Sequence, residues 1–172
     1  MLARLPNIID PVLLAERSAT IAGEINLSDF ERLAEFLYEN NGSVHVNLAF
    51  RKDGKHAFID GNIVGKLRIV CQRCLEALEF PLDKQFSLII IATEGKAMNL
   101  PDGYDPLILP EDGKIQLKLI IEDEILLILP DIPKHQEKCS ITGFSEVKTI
   151  SSDNVKKDNP FSILADLYKR EI

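Results

Sequence analysis

The chain has 172 residues, 45% of them apolar and 27% charged, with three cysteines and a net charge of −7. That apolar content suffices for the core of one compact domain, no run of about eighteen uncharged apolar residues suggests a membrane span, and an odd set of three thiols argues against a disulfide framework. Phosphate backbones repel a uniformly acidic protein, but residues 51–74 carry six basic against two acidic side chains and residues 75–137 five against thirteen.

Residues 1–27 open with turn signals, among them the dipeptide Asp10-Pro11, expected as a turn or extended pair. Arg4 is followed by Pro6 and Asp10 with no apolar signal core, so a cytoplasmic location is expected. Ser28-Asp29-Phe30-Glu31 has the form of a capping box, and Phe30, Leu33, Ala34 and Leu37 follow at helical spacing. A helix is therefore predicted there, ended by Asn40-Asn41-Gly42.

Val44, Val46, Leu48 and Phe50 alternate with polar positions, which predicts a half-buried strand. Asp53-Gly54 signals a hairpin. The return strand runs from about Phe58 to Val70, with Gly61 and Gly65 as bulge or crossing points. Cys71-Gln72-Arg73-Cys74 is a tight connection to a third strand through Leu78, Phe80 and residues 86–91. Tyr104-Asp105-Pro106-Leu107-Ile108 reads as a short extended segment. A helix is predicted over residues 117–129, closed by Pro130. Asn159 and Pro160 fit the N-cap and first position of a last helix, with Phe161, Leu164, Leu167 and Tyr168 as its apolar stripe.

The expected architecture is α+β: an antiparallel β-meander, able to curl into a partial barrel, with about three packed helices. Residues 1–150 are expected as a single domain, 151–158 as a linker, and 159–172 as a C-terminal helix docked on the domain or on a partner.

Two constellations carry candidate chemistry. Cys71, Cys74, His135 and Cys139 form two closely spaced ligand pairs, which together could make a tetrahedral Cys3His zinc site of structural type. The plainer account is two thiols at a turn and a third in a loose tail. Arg51, Lys52, Lys55, Lys66, Arg68 and Arg73 form the basic stretch, and strand alternation places several on one polar sheet face. Such a face could meet RNA phosphate or an acidic protein patch; a solvated sheet face would also carry such charges.

Glu122-Asp123-Glu124 could suggest acid–base or magnesium chemistry, but successive helical residues point about 100° apart. An exposed helix edge, or an acidic surface for a partner, is the expected reading. No phosphate-cradling glycine loop or catalytic triad is evident, so neither a catalytic residue nor a small-molecule substrate is expected.

Several segments, in order, resemble the YceD family of large ribosomal RNA subunit accumulation proteins. They are Cys71-Gln72-Arg73-Cys74-Leu75, Tyr104-Asp105-Pro106, and Gly113-Lys114-Ile115 through Glu122-Asp123-Glu124-Ile125. Leu129-Pro130 with Pro133 and His135, and Asn159-Pro160-Phe161 with Leu164, follow, and the early Asp10-Pro11 and the Gly61 region also fit. Gln116 stands where the resemblance calls for an acidic residue. The resemblance implies a bacterial, non-catalytic ribosome biogenesis factor whose partner is a ribosomal protein, an rRNA-processing factor or precursor rRNA. The alternatives are a metal-dependent RNA-processing enzyme and a zinc-stabilised binding module of other function.

Overall fold

The computed structural model describes residues 5–91, 100–101, 103–137 and 139. In chain order the elements are β1 (Ile8–Ile9), α1 (Pro11–Glu16), β2 (Thr20–Asn26), β3 (Ser43–Asp53), β4 (His56–Val70), β5 (Ala77–Ile91), β6 (Asp105–Ile108), β7 (Ile115–Gln116) and α2 (Leu117–Ile128). Two short 3₁₀ turns, Leu27–Asp29 and Leu33–Glu35, lie between β2 and β3.

The sheet has the order β2-β3-β4-β5-β6, antiparallel except for the parallel pair β5 and β6. β1 and β7 form a separate two-stranded antiparallel ladder. The β3–β4 hairpin closes over Gly54 and Lys55, with Asp53 opposite His56 and Gly54 at a φ of +56°. The left-handed conformation explains why glycine follows the aspartate there.

Alternation gives the sheet two unlike faces. Val44, Val46, Leu48 and Phe50 of β3 point to the core with Ile59, Ile63, Leu67 and Ile69 of β4 and Leu82, Phe86 and Leu88 of β5. Gly61 is required by packing: a Cβ there would stand 2.1 Å from the Phe86 ring. α2 covers this face through Leu117, Ile120, Ile121 and Ile125. Ile121 and Ile125 are fully buried, each worth roughly 2 kcal/mol relative to exposure.

The expected α+β domain with about three packed helices is overturned. The described chain is mostly sheet, with two helices, of which only α2 exceeds two turns. The predicted capping-box helix is replaced by the two 3₁₀ turns. Leu27, Phe30 and Leu33 are buried at every third position, which suits three residues per turn, and Leu37 is buried beyond them. Ala34, which a helix would have buried, is exposed.

The second 3₁₀ turn is capped from outside the segment. Glu122 Oε1 accepts from the backbone N–H groups of Arg32 (2.8 Å) and Leu33 (3.0 Å), and Oε2 from Arg32 Nε (3.1 Å). A carboxylate distant in sequence thus caps the turn that begins at Leu33.

Asp10-Pro11 opens α1 instead of a mere turn: the Asp10 side chain accepts from Leu13 N at 3.0 Å, with Pro11 at the first helical position. α2 starts one residue after Gln116, whose side chain makes no capping bond. The expected linker and last helix lie outside the described residues. No described helix is long and apolar enough to cross a membrane.

Glu122→Ala would leave the buried Leu33 N–H without its acceptor. It is expected to lower unfolding free energy by about 2–3 kcal/mol, with Glu122→Gln less damaging because an amide oxygen can still accept. Urea denaturation checks this, and a loss for Glu122→Ala within the error of the fit would refute the capping role.

Candidate metal centre

The β4–β5 connection is a tight turn with an unusual backbone. Leu75 N donates to Cys71 O at 2.9 Å and Cys71 N to Glu76 O at 3.0 Å. Leu75 takes a φ of +64°, a conformation that costs a branched residue energy. Its side chain is exposed, so the turn is held by these bonds and not by Leu75 packing. The curl directs the Cys71 and Cys74 side chains to one side.

The chain returns to this turn after α2. Pro130 stops the helix, and Gln72 N donates to Pro133 O at 2.8 Å, laying residues 133–137 and Cys139 beside the turn. Cys71, Cys74, His135 and Cys139 then meet, each offering one ligand atom within 4.8 Å of the others. Cys71 Sγ lies 3.8 Å from Cys139 Sγ, and Cys74 Sγ 3.4 Å from His135 Nδ1. All three thiols are free. The four residues can hold a metal ion.

His135 Nε2 lies 3.1 Å from the Ala77 carbonyl oxygen. A carbonyl only accepts, so Nε2 carries a proton, and in the neutral ring Nδ1 would be the nitrogen left to hold an ion. Arg73, between the two cysteines, donates from Nε to Cys139 Sγ at 2.9 Å and from Nη2 to His135 O at 3.0 Å, and also reaches Glu137 O. Burial pushes the Cys71 thiol up, but backbone N–H groups of Cys74, Arg73 and His135 outweigh it and bring it down to about 5. Burial likewise opposes ionisation of Cys139, and Arg73 reverses it, so that thiol is lowered. Cys74 is raised: the Glu76 backbone favours its thiolate, but burial and the neighbouring thiols prevail. The cluster is thus built to hold negative sulfur beside a fixed guanidinium.

The basic stretch is distributed over the molecule. Arg51, Lys66 and Arg68 do share the outer sheet face, yet Arg51 pairs in register with Phe58, about 33 Å along β4 from Arg68. Arg51 bonds Asp60 Oδ2 and the Tyr104 hydroxyl, both at 2.8 Å, and stacks over Phe58. Arg68 is bound to Glu39, and Lys52 reaches Glu16 at 2.7 Å. Lys55 sits in the hairpin turn, Lys66 is exposed on the outer face, and Arg73 belongs to the thiol cluster. Carboxylates therefore partner three of the six.

The acidic triplet is not the exposed helix edge expected from sequence. Glu122 and Glu124 are buried, while Asp123 pairs with Arg32 Nη2 at 2.7 Å. The role of Arg73 in the cluster had a signal, since it lies within the Cys-x-x-Cys segment. The inward turn of Glu124 had none in the local pattern.

The family described as "Large ribosomal RNA subunit accumulation protein YceD" matches residues 59–168. A Haemophilus influenzae protein of that same description is 32% identical over 170 residues, covering 97% of this chain and 98% of its own. No solved structure matches.

Arg73→Ala removes three anchors of the returning segment at once. Amide exchange in residues 133–139 is expected to rise about tenfold or more while β3 and β4 stay protected. Unchanged exchange in that segment would show that Arg73 does not anchor it.

Proposed function

The chain belongs to the YceD family, and from that premise we propose that it supports accumulation of large-subunit ribosomal RNA by binding a partner during ribosome biogenesis, without catalysis. The near full-length match to a relative named for that role carries the reading. The fate of the acidic triplet supports the non-catalytic part. Glu122 caps a turn, Asp123 faces Arg32 and Glu124 faces Lys84, so the three carboxylates diverge and do not converge on one ion or substrate.

Zinc is the metal that best suits the thiol cluster, in a structural role. A tetrahedron with Zn–S near 2.3 Å and Zn–N near 2.0 Å sets sulfurs about 3.8 Å apart and sulfur from nitrogen about 3.5 Å. The spacings of 3.8 Å between Cys71 and Cys139 and 3.4 Å between Cys74 and His135 support that geometry. Four protein ligands leave no open position for a substrate, as expected of a site that fastens chain to chain. Cys71, Cys74, Cys139 and Nδ1 of His135 would hold the ion, with Ala77 O and Arg73 orienting the ligands.

Cells depleted of this protein are expected to show a lower ratio of large- to small-subunit ribosomal RNA, restored by the wild-type chain. An unchanged ratio would sink the functional reading. Protein purified without chelator should carry about one zinc per chain, and Cys139→Ser or chelation should lower both the zinc content and Tm. Elemental analysis showing far less than one equivalent in the wild type would refute the zinc assignment alone.

A further inference from the structure

A cavity of about 440 Å³ opens between β6 and the outer flank of α2. Its walls include Leu88, Asp105, Leu107, Glu124, Leu126 and Leu127. Three properties distinguish it from a chance surface dip. Glu124 is 4% exposed, and its Oε2 has no hydrogen-bond partner among the described residues. Lys84 Nζ stands 3.7 Å away, close enough for attraction but too far for a hydrogen bond. Burial pushes the Glu124 carboxyl up, with Lys84 opposing and Asp105 and Asp123 adding to the rise. A buried acceptor without a hydrogen bond costs stability unless a ligand or an ordered water completes it.

The second property is charge. Asp105 and Asp123 also line the cavity, while the nearby cations are engaged: Lys84 by Glu124, Arg32 by Glu122 and Asp123. Such a site repels nucleic-acid phosphate. The third is the apolar wall. Leu127 is 73% exposed at the rim, and Ile108 of the neighbouring edge strand is 42% exposed. A bare inorganic cation has no use for leucines, and among the described residues these carboxylates do not gather into a metal-binding set. A long cationic side chain uses both parts, its stem on the apolar wall and its head on the acids.

We propose that this cavity receives an arginine side chain from a basic segment of a partner protein, with apolar residues of that segment covering Leu127 and Ile108. The planar guanidinium can give one N–H to Glu124 and others to Asp105, which a lysine ammonium does less well. This deepens the proposed function, on which it rests for the existence of a partner, by naming a basic protein segment as that partner's chemistry.

The test uses the full chain and a synthetic hexapeptide of alternating leucine and arginine. Its control is the same peptide with citrulline, which keeps the shape and loses the charge. Chemical-shift changes are expected around Asp105, Glu124 and Leu127, with the arginine peptide bound about tenfold or more tighter than the citrulline one. Glu124→Gln should weaken the arginine peptide about tenfold, whereas Glu79→Gln on the outer sheet face should change it less than about twofold. Asp105→Asn, at an exposed position, gives the same reading should Glu124→Gln fail to fold. Equal binding of the two peptides, equal effects of Glu79→Gln and Glu124→Gln, or no binding of either peptide would overturn the proposal. So would an RNA oligonucleotide that shifts these same residues. Ribosomal RNA ratios in cells are a separate readout, so failure of this site and failure of the proposed function are distinguishable.

Discussion

The ladder between β4 and β5 is the constraint on which the other features hang. It runs unbroken from Ala57 opposite Ile90 to Val70 opposite Ala77. With period-two side chains, that single register decides which residues face α2 and which face outward. It places Lys84 on the core side, opposite Ile63, where Glu124 reaches it. It ends in the turn that carries Cys71 and Cys74, and β5 also offers its other edge to β6. A slip of one residue would turn Leu67 and Ile69 outward and Lys66 and Arg68 inward, so burial of the apolar set fixes the pairing.

α2 is held to this frame by polar contacts as well as by its apolar face. Glu122 fastens the 3₁₀ turn at Arg32 and Leu33, and Glu124 sits against Lys84. Buried carboxylates are costly unless partnered. Glu122 is fully partnered and therefore reads as structure. Glu124 is not, which is why the same helix has both a structural acid and a binding acid two residues apart. The segment after α2 is tied down differently, by backbone bonds, Arg73 and the meeting of four ligand atoms. A structural ion there would join the end of the β4–β5 hairpin to the chain leaving α2, where local apolar burial is slight.

Much of the sheet could be read from local pattern. The strand through Val44–Phe50 and the Asp53-Gly54 hairpin are set by alternation and by one glycine with positive φ, and both are properties of adjacent residues. The α2 segment was legible for the same reason, with Pro130 as its stop. The segment after Ser28 was not. Its capping-box pattern is genuine in sequence, but a glutamate about ninety residues away caps the chain further on, at Arg32 and Leu33, where a 3₁₀ turn begins. The count of helices was wrong for that reason, and because Asp10-Pro11 opens a helix too short to show periodicity.

The sequence by itself determined which residues could pair as metal ligands, because cysteines two residues apart need no distant information. It also determined the family, through ordered segments spread along the chain. Only the tertiary structure decided that the two ligand pairs lie together, that the basic stretch is spread over two strands and two turns with half of it ion-paired, and that Glu124 turns inward beside an apolar cavity. Those outcomes depend on sheet register and on how α2 packs against it. Both are set by the summed burial of residues far apart in the chain, which no local pattern encodes.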